Sequence, residues 1–270
     1  MGKGRLLVLQ PVSLARYMAT CEAVQEAVSQ NYPPTVLIYP GWERKSLSIG
    51  RLQRTDSINL DACREDRLDV VRRPTGGYAV IHQHDDVTYV VVVPRKLAGD
   101  KKGFDNKISP ILVKSLEQMN VPDCHGPFPE PYGAIYVNDK KIAGSTQSHG
   151  RRAWIQHGII AVRRHSADDY IRYVNGEKHA ELIQSKMTSI EEESGIADSA
   201  RLAVVMAEEF QRNFWGIGID LEEEQSLSSG EIEGAEDLFN RRYANVSWLE
   251  NGIRRYDKSG RVACFTESPS

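Results

Sequence analysis

Apolar positions recur along this chain with two spacings, and the changes between them outline its elements. From Val12 to Gln30, Leu14, Met18, Cys21, Val24 and Ala27 fall three or four apart, as on one face of a helix, and Ser13 stands where a cap belongs. "TVLIY" (Thr35–Tyr39) and "SLSIG" (Ser46–Gly50) read as short strands around the turn "PGWERK", and "NLDACRED" as a short helix. "YAVIH" and "VTYVVVV", separated by "QHDD", read as a hairpin whose second strand is ended by Pro94. Lys107 to Met119 carries Ile108, Ile111, Leu112 and Leu116 on one side of a helix. Asn120 to Gly133 then holds four prolines and two glycines, which excludes regular structure and predicts an ordered loop or lid. "AIYV", "KKIAGST" and "AWIQHGIIAV" follow as a meander, joined by the turns "ND" and "SHGR". Beyond Ser166 the pattern is mainly helical and polar, with helices near Ala197–Phe214 and Glu233–Tyr243. Short turns between successive strands predict an α+β fold with a largely antiparallel sheet, not a doubly wound parallel one.

Composition removes several function classes. The 270 residues are 40% hydrophobic and 26% charged, as in ordinary globular domains, and the net charge of −3 provides no basic field for nucleic acid. The longest apolar run, near Tyr89–Val93, is far too short to span a bilayer. The N-terminus lacks the apolar core and cleavage site of a signal peptide, and Leu6 stands where a myristoylation signal needs Ser or Thr. Four scattered cysteines, Cys21, Cys63, Cys124 and Cys264, form no CxxC pair, so neither a metal site nor a disulfide framework is expected. A cytoplasmic protein is the expectation.

Three stretches carry candidate chemistry. In "RRPTGG", Gly76 and Gly77 let the backbone approach a ligand or adopt positive φ, and Arg72 and Arg73 offer charge-assisted contacts to phosphate or carboxylate. Read alone, the stretch fits a strand-entry turn with solvated arginines equally well. In "NDKKIAGSTQ", strand alternation puts Lys141 on the face of Ala143 and Ser145, beside room for a ligand, whereas Lys140 borders the turn. Both lysines also fit surface charges of a hairpin. Cys124 sits in the proline-rich loop, where a thiol of lowered pKa could attack a thioester; His125 is adjacent, and an unreactive loop cysteine is the plain alternative.

Together, "RRPTGGYAVIH", "VNDKKIAGSTQ" and "IQHGIIAV" resemble the lipoate-protein ligase and octanoyltransferase group of the biotin/lipoyl protein ligase superfamily. "LARYMATCEA" is similar to that group's first helix and "AEDLFNRRYANVSWLENG" to its closing segment, so the resemblance covers roughly Leu6 to Gly252. It implies a single catalytic domain over residues 1–252 with a tail from 253 to 270, and helices around a mixed, largely antiparallel sheet. It implies that Lys141 contacts an acyl carbonyl or an adenylate phosphate, and that Arg73, Thr75, Gly76, Gly77, Tyr78, His82, Gly144 and His157 surround the acyl group. Many members have a third glycine where Tyr78 stands, so its side chain is expected to reshape the acyl tunnel.

The group divides by how the acyl group is activated. Ligases carry Arg-Asn-Asp before the strand leading to the lysine; here that place reads "EPYGAIYV". Cysteine-type octanoyltransferases carry a Cys in the loop upstream, and "DCHGPFPEPYGAIYV" is similar, with Cys124 as nucleophile, a slightly wider interval to Lys141, and His125 in place of an aromatic residue. The resemblance thus implies octanoyl (or lipoyl) transfer from an acyl carrier protein to a lysine of a lipoyl domain, in a glycine cleavage H protein or an E2-type subunit. No cofactor or metal is expected for that route. The alternative is an ATP- and Mg-dependent lipoate-protein ligase, and a non-catalytic acyl-binding protein is a third class. No nucleic acid or membrane partner is expected.

Overall fold

The computed structural model describes residues 2–126, 133–175, 185–251, 255–256 and 262–263. Cys264 and most of the tail expected over 253–270 lie outside them; within the tail, Arg255–Tyr256 pairs antiparallel with Val262–Ala263.

The chain runs β1 (Gly2–Val8), α1 (Leu14–Ser29), β2 (Thr35–Tyr39), β3 (Ser46–Ile49), α2 (Leu60–Glu65), β4 (Asp69–Arg72), β5 (Val80–His82) and β6 (Val87–Pro94). It continues with α3 (Arg95–Ala98), α4 (Lys101–Gln118), β7 (Ala134–Val137), β8 (Lys140–His149), β9 (Ala153–Ile160) and α5 (Ala167–Tyr173). Then come α6 (Ile190–Ser194), α7 (Ser199–Asn213), β10 (Ile219–Glu223), α8 (Ser229–Leu238) and α9 (Val246–Asn251). Seven strands form one sheet in the order β10-β1-β2-β6-β9-β8-β7, parallel only where β1 meets β10 and β2. A second sheet, β4-β3-β5, has three strands.

The large sheet is covered on both faces, which is why β6 is an unbroken apolar run. On one face Tyr89, Val91, Val93, Ile135, Val137 and Ile142 pack with α4 and α7 residues such as Ile108, Leu112, Met206 and Phe210. On the other, Leu37, Val90, Val92 and Ile155 pack with Leu14, Met18 and Val24 of α1, and with Leu238 of α8. Ser13 caps α1 through the Arg16 amide, as its position suggested. The helix expected from Lys107 begins earlier, because the Asp100 carboxylate accepts from the Gly103 amide at 2.6 Å and caps it there. Among the described residues no helix is long and apolar enough to cross a membrane.

One expected pairing is wrong. "YAVIH" and "VTYVVVV" are not a hairpin: β5 pairs with β3, His82 opposite Ser46, while β6 pairs with β2 and β9 in the other sheet. "QHDD" is a crossover between sheets. There Asp86, fully buried, takes both carboxylate oxygens to His165 Nε2 at 2.9 and 3.0 Å. Likewise the strands around "PGWERK" belong to different sheets. This separation leaves a seam between the sheets, lined by Tyr17, Trp42, Thr75, His82 and His157.

Candidate active site

The meander β7–β8–β9 brings Lys141 to the seam through an irregularity. Ala143 pairs with Ile135 and Lys141 with Tyr136, so Ile142 is an extra residue and β8 bulges there. The bulge reverses the alternation. Ile142 and Ala143 both enter the core under α4, and Lys141 joins the face of Gly144 and Thr146. The neighbours expected from simple alternation, Ala143 and Ser145, therefore point the other way. Gly144 supplies the room instead: a methyl group on it would lie 2.8 Å from both Cε and Nζ of Lys141.

The Lys141 ammonium is only partly exposed, and among the described residues no carboxylate pairs with it. Burial, helped by the Arg73 charge, holds its pKa below the ordinary lysine value. It stands as a desolvated cation without a counter-ion.

The glycine turn faces it from the small sheet. Thr146 Oγ1 donates to the Gly76 carbonyl at 3.3 Å and ties the two sheets together. Gly77 has φ of +94°, and a Cβ there would lie 2.8 Å from Arg73 Nη2. A Cβ on Gly76 would meet nothing within 4 Å, so the turn presents an open backbone face at that residue.

The arginines do not reach toward a ligand as expected. Arg73 donates from Nη1 to the Ser48 carbonyl and hydroxyl, and from Nε and Nη2 to Gly76 O and Tyr78 O. Arg72 donates to five carbonyls, those of Gly50, Arg51, Gln53, Trp248 and Leu249. Both guanidiniums are nearly inaccessible, at 2% and 5%, and burial lowers both pKa values, Arg73 to about 10. They shape and charge the wall of the site rather than grip a substrate. Tyr78 also departs from expectation: its side chain is 75% exposed, so it reshapes no tunnel, and its carbonyl serves Arg73.

His82 and His157 complete the seam. His82 Nε2 lies 2.9 Å from Ser48 Oγ, with the ring against Trp42. His157 Nε2 lies 2.7 Å from Thr75 Oγ1. Burial and then the Arg73 charge push both pKa values down, His157 to about 3, so both rings are neutral. The unfolded chain protonates them near pH 6.5, so below that pH it binds protons the native state does not. Stability is held above pH 6.5 and lost below it, at about 1.4 kcal/mol per pH unit for each histidine. His165 opposes this: burial disfavours its charge, but Asp86 outweighs burial and raises its pKa, so its contribution is present below pH 6.5 and fades as pH rises through the raised value. Urea unfolding of His157→Asn at about pH 7 and 5.5 is expected to show a shallower pH dependence than the parent; equal slopes would mean that His157 charges freely in the native protein.

Cys124 is not brought to this seam. His125 and Tyr136 exchange two backbone hydrogen bonds of 3.0 Å, and their rings stack on the face that Lys141 shares. Cys124 is thereby turned to the opposite face and packs against the core under α4. Burial, with the charges of Glu117, Glu193 and Asp123, pushes its thiol up to about 12. The remaining loop residues, 127–132, lie outside the described ones. Two groups escaped sequence reasoning. Tyr17 of α1 reaches His157 across the seam. Asp105 of α4 accepts from the Gly133 amide and from Gln156 Nε2, anchoring the exit of the proline-rich loop to β9. The helical pattern marks Tyr17 and Asp105 only as positions on helix faces.

Residues 13–211 match the lipoyl protein ligase A/B catalytic domain, and the chain belongs to that family. Relatives named octanoyltransferase LipM include those of Brevibacillus brevis (29% identical, covering 92% of this chain and 99% of the relative) and Macrococcus caseolyticus (28%, covering 86% and 93%). That of Lysinibacillus sphaericus is 35% identical over 53% of this chain and 60% of its own. Among solved structures, a bipartite lipoate protein ligase from Thermoplasma acidophilum superposes with a TM-score of 0.81 at 20% identity, covering 94% of this chain and 99% of the other. A lipoate-protein ligase A bound with ATP gives 0.78 at 19%, covering 93% and 100%. These structural likenesses establish the biotin/lipoyl ligase fold.

Proposed function

We propose that the protein is an acyltransferase of protein lipoylation. It moves an octanoyl group from the thioester of an acyl carrier protein to a lysine amine of a lipoyl domain, in a glycine cleavage H protein or an E2-type subunit, without ATP. Lys141 carries the reading. A desolvated ammonium with no counter-ion among the described residues is costly unless a negative charge arrives to meet it, and a tetrahedral oxyanion is such a charge. The relatives named octanoyltransferase support octanoyl as the cargo.

In this reading the Cys124 thiolate attacks the donor carbonyl, the bond to the carrier sulfur breaks, and the carrier thiolate leaves and takes up a proton. The acceptor amine then attacks the Cys124 thioester, an amide forms, the C–S bond breaks, and the amine's proton returns to the sulfur. Lys141 stabilises both oxyanions. For Cys124 to reach the Lys141 face, the His125–Tyr136 pair has to open, and moving the thiol away from its buried, acidic surroundings lowers its pKa toward a reactive value.

The outward turn of Cys124 favours one second reading. A ligase that forms an acyl-adenylate from ATP and Mg needs no thiol, and Lys141 would then meet the phosphate. The two readings part cleanly. With octanoyl carrier protein, the enzyme is expected to gain an octanoyl mass that hydroxylamine removes, and Cys124→Ser to lose at least about a hundredfold in transfer. ATP-dependent attachment of free lipoate by Cys124→Ala would overturn the transferase and establish the ligase.

A further inference from the structure

His157 stands between two hydroxyls. Tyr17 OH is 3.4 Å from Nδ1, and Thr75 Oγ1 is 2.7 Å from Nε2. Tyr17 and Thr75 are each 1% exposed and His157 is 4% exposed, so no bulk water arbitrates between them. The ring is neutral, with one N–H and one lone pair, and its neighbours decide which nitrogen holds the proton.

The chemistry of the two hydroxyls is unequal. A phenol is the stronger donor and the poorer acceptor; an aliphatic hydroxyl oxygen is the better acceptor. The best match has Tyr17 O–H donating to Nδ1 and Nε2–H donating to Thr75 Oγ1. The reverse arrangement makes the phenol an acceptor and leaves its O–H only the Cys21 thiol, a weak partner. In the favoured arrangement the Thr75 O–H is left over, and among the described residues no other acceptor holds it. Thr75 directly precedes Gly76, the residue whose side-chain direction is open. Thr146, opposite His157, lies two residues along β8 from Gly144, which makes the room for Lys141.

We propose that Tyr17 is a positioning residue: it holds the His157 ring with its proton on Nε2, that proton occupies the Thr75 oxygen, and the Thr75 hydroxyl is thereby turned into a donor to the acyl carbonyl oxygen. The last step rests on the acyl-transfer reading; the proton placement does not. Lys141 brings charge to the oxyanion and Thr75 a directed hydrogen bond, which strengthens as charge develops on the carbonyl.

Nitrogen-15 NMR of histidine-labelled protein reads the tautomer directly, with the His157 signals identified by their loss in His157→Asn. The expected result is Nε2–H with an unprotonated Nδ1 in the parent, and a mixture of tautomers in Tyr17→Phe. Nδ1–H in the parent overturns the proposal whatever reaction the enzyme catalyses. In transfer assays with octanoyl carrier protein, Tyr17→Phe is expected to lower kcat about tenfold with KM nearly unchanged, and Thr75→Val about a hundredfold, with Thr75→Ser restoring most of the activity. Equal losses in Thr75→Val and Thr75→Ser would make the role steric and overturn the donor assignment. An Nε2–H ring in a protein silent in every transfer assay supports the relay and counts against the acyl-transfer reading.

Discussion

Lys141→Ala is expected to lower octanoyl transfer by about a thousandfold or more and to leave Tm within a few degrees of the parent. The two halves have one cause. The ammonium has no counter-ion among the described residues and is partly stripped of water, so the folded state gains little from it, and removing an uncompensated charge does not destabilise. The same absence of a partner leaves the charge available for the oxyanion. Steady-state transfer to a lipoyl domain and a thermal melt check both halves. Near-parent activity would take Lys141 out of the chemistry, and a collapse of Tm would make it a structural residue.

Gly77→Val is expected to cost roughly 3 kcal/mol, a fall in Tm of about 6–12 °C, and to abolish transfer. At φ of +94° a β-branched residue is strained, and its Cβ would lie 2.8 Å from Arg73 Nη2. Displacing that guanidinium breaks its bonds to Gly76 O and Tyr78 O and leaves a buried charge poorly satisfied. The harm thus comes through Arg73 and not through filling space meant for a ligand. Gly76→Ala is the contrast. Its methyl group meets nothing within 4 Å, so Tm should hold, and any weakening of acyl binding then reports a ligand lying against that face. A Gly77→Val protein that melts with the parent would mean that the turn is not braced by Arg73.

What the sequence made legible was local. The Ser13 cap, the meander and the helix from Ser199 depend on residues close in the chain, and each appears where the pattern put it. The misread elements depend on distant partners. β5 and β6 alternate like a hairpin, but alternation marks which way side chains point and not which sheet a strand joins. β1 and β10 were missed because each is an edge-side strand whose parallel partner lies over two hundred residues away, Gly2 opposite Ile219. At the site, the motif located Lys141, Gly144, Thr75 and His157 correctly as neighbours, yet the bulge at Ile142 reversed the faces that simple alternation assigns. Nor does a pair of arginines reveal whether its targets are ligand oxygens or the protein's own carbonyls; here they are the latter.

The reach of Arg72 has a consequence for where the chain can be cut. The family match ends at residue 211, but the Arg72 guanidinium in the small sheet depends on the carbonyls of Trp248 and Leu249, and the Trp248 indole donates back to the Arg72 carbonyl at 2.9 Å. Trimming to the matched span would strand a buried cation beside the Gly50–Gln53 turn, which borders the glycine turn through the Arg51 amide and Thr75 O. The closing helix is therefore a functional part bolted on from the far end of the polypeptide, and C-terminal shortening, fusion or proteolysis is tolerable only beyond Asn251.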